Sequence, residues 1–302
     1  MQIGVVGIGA LGGLFAGYLA KHDQLSVLGF DIDEELVETL NEDGLEVTGK
    51  STFETPLEAT TDFDRLNEVD GVMVAVKSIH TEAVAENLAG RLDGTPVLTI
   101  QNGLGNADIL AEHVDSEVMN GATFMGALLV EHGHIEETNH ASTWVGPHRG
   151  ELATAERFAD AFADTDLEFD VIEDVPNAVW TKLLVNAAVN PIAALTRRKL
   201  GTLLRNERTE KLLFDVAREG KRVAEANGVE PLHDPVDLIE MGRDTADETE
   251  PSMLQDVDHG RPTEIDFLNG AIVDVAAEAD VEAPLNEALT ALVTGLTETE
   301  AS

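Results

Sequence analysis

The chain contains no cysteine, which excludes disulfides, thiolate nucleophiles and cysteine-ligated metals. It is also poor in positive charge. Against 58 aspartates and glutamates stand 19 lysines and arginines, only seven of them lysine, and the formal charge is −39. Such a surface repels nucleic acid and anionic membranes, and no local basic run makes an exception. A charge of this size opposes compaction in dilute buffer but is screened within about 3 Å at molar salt. The composition therefore reads as halophilic, an adaptation to a salt-filled cytoplasm. No run of about 18 apolar residues occurs, and Met1 leads into an apolar strand without a basic leader. The expectation is a soluble, cytoplasmic protein with neither nucleic acid nor membrane as partner. Tyrosine is almost absent: the single one, Tyr18, has His22 four residues on. The Tyr-x3-Lys pair that short-chain dehydrogenase chemistry needs cannot be assembled.

What is there suffices for two ordinary domains with real cores: 302 residues, 43% of them hydrophobic. Gln2 to Val6 has the pattern of a short buried strand. It runs into Gly7-Ile-Gly9-Ala10-Leu11-Gly12-Gly13 and then a helical pattern to about Leu19. Strand, glycine turn and helix together form a dinucleotide fingerprint in its proper context. Gly7 permits the tight turn, Gly9 lets a pyrophosphate approach the backbone, and Gly12 allows close helix–strand packing. The helix N-terminus turns free amides towards the phosphates. A second strand, Leu25 to Phe30, ends at Asp31, some 20 residues on, where a carboxylate accepts from the adenosine ribose and repels a 2′-phosphate. No arginine follows until Arg65, so NAD(H) is favoured over NADP(H).

Strand patterns at Gly71 to Val76 and Pro96 to Ile100 end in Lys77 and in Gln101-Asn102-Gly103. Open α/β sheets bind ligands at such strand ends, although Asn-Gly is also an ordinary turn. Strands near 117–130, 134–137 and 142–145, a helix over 153–164 and a strand at 167–172 complete a doubly wound first domain, residues 1–173. His132, His134 and His140 lack the spacing of a metal site, and no metal is expected. From Asp174 the pattern is helical: 176–196, 207–227, about 235–245, 252–258, 263–279 and 285–298. This gives a helical second domain, residues 174–302.

In the first of these helices, Lys182, Asn186 and Asn190 fall within about 80° of arc. Positions 183–189 are otherwise Leu, Val or Ala, so a cation and two amides lie inside a helix that reads as buried all round. They require polar company, either a structural network with neighbouring backbone or a bound substrate. Further on, Ser252-Met-Leu-Gln255 has the form of a capping box, and its hydroxyl or helix-end amides could also meet a carboxylate. Glu264 and Asp266 fall in the first turn of the next helix, where acidic residues complement the dipole.

Taken together, Gly7-Ile-Gly9-Ala10-Leu11-Gly12, Val76-Lys77, Gln101-Asn102-Gly103-Leu-Gly, Lys182-x3-Asn186-x3-Asn190 and Ser252-Met-Leu-Gln-Asp-x7-Glu264-Ile-Asp-x2-Asn269-Gly270 resemble the ketopantoate reductase (2-dehydropantoate 2-reductase) family over essentially the whole chain. The resemblance implies a Rossmann-type domain followed by an all-helical domain of the 6-phosphogluconate dehydrogenase C-terminal type. It implies reduction of ketopantoate to pantoate, on the route to pantothenate and coenzyme A, with hydride from a nicotinamide. Lys182 would be the general acid, with Glu264 hydrogen-bonding beside it. Asn186, Asn190 and Ser252 would bind the small-molecule substrate, Asn102 would lie near both substrate and cofactor, and Lys77 would contact the cofactor. The assembly would be compatible with a homodimer. Two positions depart from the family pattern. Phe30-Asp31-Ile32-Asp33 stands where NADP-preferring members carry an arginine, and Thr249 stands where the family often has asparagine. Rival readings are a related dehydrogenase of another 2-keto or 3-hydroxy acid, and a non-catalytic dinucleotide sensor. Ser252 and Glu264 argue against the first, and retention of Lys182 and Glu264 against the second.

Overall fold

A computed structural model describes residues 1–243 and 250–297; Thr249 lies outside them. The chain divides into two compact units. One takes in Met1–Gln101 and Asn106–Val175, the other Asn102–Gly105 and Pro176–Ser302.

The first unit is built on an eight-stranded sheet in the order Phe169–Val171, Thr143–Arg149, Val118–Thr123, Val97–Thr99, Gly71–Val74, Gln2–Val6, Ser26–Phe30, Glu58–Thr60. Every neighbouring pair is parallel except Val118–Thr123 with Thr143–Arg149. The first strand lies between the second and Gly71–Val74, so chain order reverses beside it. That reversal is the switch point of a doubly wound sheet, where ligands meet the carboxyl ends of the strands. Gln2–Val6 and Gly71–Val74 are buried nearly throughout, which explains their continuous apolar runs.

A second, four-stranded sheet was not legible as such: Phe53–Thr55, Leu45–Gly49, His134–Asn139, Gly126–Glu131. The stretch read as strand near 117–130 is two strands, one in each sheet. This sheet packs on the helix Ala10–Ala20. That helix is therefore covered on both sides and buried from Gly12 to Leu19, which is why its sequence lacks a polar face.

The second unit is helical: Val175–Thr196, Leu200–Leu204, Glu207–Ala226, Pro235–Met241, Ser252–Asp258, Ala271–Glu278 and Pro284–Thr297. The expected helix over 263–279 begins instead as a widened π turn, Asp266–Gly270, running into Ala271–Glu278. Helix Val175–Thr196 is the axis. Trp180, Leu183, Leu184 and Ala187 enter one apolar cluster, and Ala188, Val189, Ile192 and Ala193 enter another. Its apolar residues thus face core on two sides, so the charged and amide side chains it carries sit among them for a reason other than solvation.

Candidate active site

The glycine turn is shaped for a phosphate. Gly7 has φ +86°, and a Cβ on Gly12 would lie 1.9 Å from the Gly7 carbonyl oxygen, so no side chain fits there. A Cβ on Gly9 would meet nothing within 4 Å, which leaves open the backbone that a ligand would approach. Ala10 and Leu11 are half-buried at the helix start. That start has no side-chain cap and no acidic residue in its first turn. The contrast with the next helix, Glu34–Asp43, is pointed: it is capped by Asp33 and begins Glu34, Glu35. In so acidic a chain, the bare N-terminus at Ala10 keeps its amides and dipole available for an anion. These residues fit a dinucleotide.

Asp31 does more than its position suggested. Its Oδ2 accepts from the Ile8 amide at 3.0 Å, and its Oδ1 accepts from the amides of Ile32 (2.8 Å) and Asp33 (3.2 Å). The carboxylate is thereby pinned against the glycine turn, with remaining lone pairs free to accept. Lys77 lies half-buried just past strand Gly71–Val74, where a 3-10 turn begins. Gln101, by contrast, is locked by structure: its Nε2 donates to the Val76 carbonyl (3.0 Å) and the Thr81 hydroxyl (2.7 Å).

In the second unit, Lys182 is 9% exposed. Burial draws its ammonium down from 10.5 to about 8, and the nearby Glu264 carboxylate pulls the other way. Asn102 donates through Nδ2 to Glu264 Oε2 at 3.2 Å, and Asn186 Nδ2 donates to Asn102 Oδ1 at 3.4 Å. The carboxylate only accepts, so it orients the Asn102 amide, and that in turn orients Asn186. Asn190 is 5% exposed. Loop 102–105 is brought here by backbone: Leu104 N–H donates to the Phe267 carbonyl at 3.0 Å. A Cβ on Gly103 (φ +85°) would lie 2.4 Å from that carbonyl oxygen. The structure thus brings together Lys182, Asn186, Asn102 and Glu264, with Asn190 one turn beyond.

Two local expectations are corrected. Ser252 is not a cap: Pro251 occupies the N-cap position and its carbonyl accepts from Gln255 N–H, while Ser252 is the exposed first residue of the helix. The Gln255 side chain turns back to the Glu250 carbonyl, 2.8 Å, so the capping box is not formed. Glu264 lies ahead of the next helix rather than in its first turn, and its carbonyl accepts from the amides of Phe267 and Leu268. That position frees its carboxylate for Asn102 and Lys182. The three histidines are separately engaged. His132 faces Asp33 at 3.5 Å, His134 bonds Thr48 at 2.9 Å, and His140 bonds Glu137 at 2.6 Å. Tyr18 is buried and bonds Ser51 and Glu137.

A glycine turn fit for a dinucleotide and a buried lysine that feels a half-buried glutamate beside amides narrow the field, and comparison with known proteins decides the family. Residues 3–150 match the family model of ketopantoate reductase PanE/ApbA, and residues 174–297 match that of the ketopantoate reductase PanE/ApbA C terminal. The chain belongs to the ketopantoate reductase family. A 2-dehydropantoate 2-reductase of Halobacterium salinarum is 36% identical over 97% of this chain and 98% of its own. The crystal structure of a PanE/ApbA family ketopantoate reductase from Ralstonia eutropha JMP134 superimposes with a TM-score of 0.89 at 28% identity, over 98% of both chains. A D-mandelate dehydrogenase in ternary structure with NADH and anilino(oxo)acetate matches as well, with a TM-score of 0.89 at 25% identity over 98% of both chains.

Within this ketopantoate reductase fold, some residues were given no role from the sequence because that role is set by partners distant in the chain. Asn269, Asn286 and Glu219 form a buried hydrogen-bonded series. Two sequence signals bear on it: Asn269 stands in the family motif, and Pro191 is a proline inside the Lys182 helix that leaves a carbonyl to be satisfied.

Proposed function

We propose that this chain reduces 2-dehydropantoate to pantoate in the cytoplasm, using NADH in preference to NADPH. The observation that carries the reading is a buried lysine, lowered to about 8 by desolvation against the opposing charge of Glu264, on the helix that also presents Asn186 and Asn190. The glycine turn would hold the phosphates of a reduced nicotinamide dinucleotide, which would supply the hydride for reduction of the keto group. Lys182 donates a proton to the oxygen on which negative charge develops, since an ammonium near 8 is both largely protonated at neutral pH and able to release its proton. Glu264 keeps Lys182 charged below that value and orders the Asn102 amide. Asn186 and Asn190 offer amides to the substrate's carboxylate and hydroxyl, and Ser252 offers an exposed hydroxyl. Water exclusion around the buried Lys182 and Asn190 strengthens the contacts those two make. The preference for NADH rests on Asp31, pinned by three backbone amides, and on Asp33 two residues on; both would repel a 2′-phosphate.

The test is nicotinamide absorbance with ketopantoate in molar KCl, comparing NADH with NADPH and wild type with Lys182→Ala. Turnover with NADH favoured, and lost by orders of magnitude in Lys182→Ala, supports both parts. Turnover favouring NADPH removes the Asp31 argument alone, and an unchanged rate in Lys182→Ala removes the lysine. A second reading, another 2-keto acid as substrate, is favoured by the likeness to D-mandelate dehydrogenase and by Thr249 in place of the family's frequent asparagine. Silence with ketopantoate but turnover of a bulkier 2-keto acid in the same assay would establish it.

A further inference from the structure

Pro191 sits inside helix Val175–Thr196. It has no N–H, so the carbonyl four residues earlier, Ala187, has lost its helical donor. Asn269 supplies one: its Nδ2 donates to the Ala187 carbonyl at 2.9 Å and to Asn286 Oδ1 at 2.9 Å. Asn286 in turn donates, through both its Nδ2 and its backbone N–H, to Glu219 Oε1 at 2.9 Å. Asn269 and Asn286 are 0% exposed and Glu219 is 2% exposed. Chemistry fixes every orientation in this series. The Glu219 carboxylate only accepts, so Asn286 must turn its nitrogen to it and its oxygen to Asn269. Asn269 then faces two acceptors and must present its NH2 to both. The Asn269 oxygen is left buried without a partner, an arrangement that is unfavourable in itself and marks the donor side as the one the fold retains.

Asn269 belongs to the π turn Asp266–Gly270, which hangs from Glu264 through the hydrogen bonds of Phe267 and Leu268 to its carbonyl. The same turn holds loop 102–105 through the Phe267 carbonyl. One short turn therefore is tied to the Glu264 carbonyl, fastens the loop that bears Asn102, and grips the Lys182 helix at Ala187, next to Asn186. π turns of this kind interrupt helices most often where side chains have to be aimed.

We propose that Asn269 is a positioning residue: by bonding the carbonyl that Pro191 leaves open, it sets the slide of the Lys182 helix against the Glu264 turn, and so the placement of the lysine relative to the carboxylate. The inference rests on Lys182 and Glu264 being the acid and its partner, as proposed above.

The test uses the full chain and compares wild type, Asn269→Ala, Asn269→Ala/Pro191→Ala and Lys182→Ala, reading Tm and the pH profile of kcat/KM for ketopantoate reduction. In wild type the rate falls on an alkaline limb that Lys182→Ala lacks. In Asn269→Ala the limb moves to lower pH by about half a unit or more, because the lysine is less well faced by Glu264, and kcat falls roughly ten- to a hundredfold. In the double variant the new amide at 191 returns a donor to Ala187, so Tm recovers while the limb stays displaced. That variant carries the test if Asn269→Ala alone does not fold. A limb unmoved in either folded variant overturns the proposal and leaves Asn269 a purely structural residue. A limb that persists in Lys182→Ala has a different signature: it overturns the acid assignment itself and this inference with it.

Discussion

Replacing Lys182 by methionine should make the protein more stable at neutral pH while abolishing turnover. The lysine is 9% exposed, and its ammonium is drawn from 10.5 to about 8, with desolvation outweighing the attraction of Glu264. A gap of about 2.5 units between unfolded and folded chains corresponds to roughly 3 kcal/mol. The sign follows from proton uptake. Between about pH 8 and 10.5 the unfolded chain binds the proton more readily than the folded one, so stability rises with pH across that window. The penalty is complete below about 8 and gone above 10.5. Methionine fills similar space with an unbranched apolar chain and carries no charge to bury. Glu264 loses its cation but keeps Asn102, so the gain at pH 7 is about 1–3 kcal/mol, or roughly 2–5 °C in Tm for a chain of this length. Calorimetry of both proteins in matched molar KCl at pH 7 and pH 10.5, with kcat alongside, reads the effect. Equal or lower stability of Lys182→Met at pH 7 would refute the reasoning. So would a gain that does not shrink at pH 10.5, because the burden removed would then not be a buried charge.

Glu264→Gln removes the charge that supports the Lys182 proton, so the alkaline limb of kcat/KM should move to lower pH by about one unit or more; a limb that stays put would detach Glu264 from the lysine. Asp31→Arg should turn the preference towards NADPH. It should also lower stability by about 1–3 kcal/mol, since three backbone amides lose their acceptor; an unaltered cofactor ratio would make Asp31 a loop brace only. In Gly103→Ala the new Cβ collides with the Phe267 carbonyl, as the 2.4 Å approach requires. This should cost about tenfold or more in kcat while dinucleotide affinity, read by fluorescence titration, is retained; loss of dinucleotide binding instead would contradict that division. With a charge of −39, Tm should climb steeply between about 0.1 M and molar KCl, and a flat response would show that self-repulsion does not limit the fold.

Much of the first unit was readable because its signals are local. A strand buried on both faces is continuously apolar, a turn with positive φ is marked by glycine, and the order strand, turn, helix is written directly at residues 2–20. The Lys182 stripe was equally plain, since helical periodicity puts polar residues four apart on one line. Where reading failed, the deciding contact lay elsewhere in the chain. Ser252-x-x-Gln255 has the residues of a capping box, but Pro251 takes the cap and Gln255 turns to Glu250. The stretch 117–130 is apolar enough for one long strand, yet it is divided between two sheets.

By itself, then, the sequence determined the class of fold, the glycine turn and the face on which the lysine and two asparagines lie, because each depends on periodicity or short spacing, while the family was read from the resemblance of its motifs. Only the tertiary structure decided what those residues meet. It carried Asn102 from the end of a strand to Glu264, bound the Asp31 carboxylate to Ile8 across 23 positions, and answered the carbonyl opened by Pro191 with Asn269, 82 positions away from it. The physical reason is that a buried polar group must find its partner wherever packing brings one, and no local pattern records where that will be.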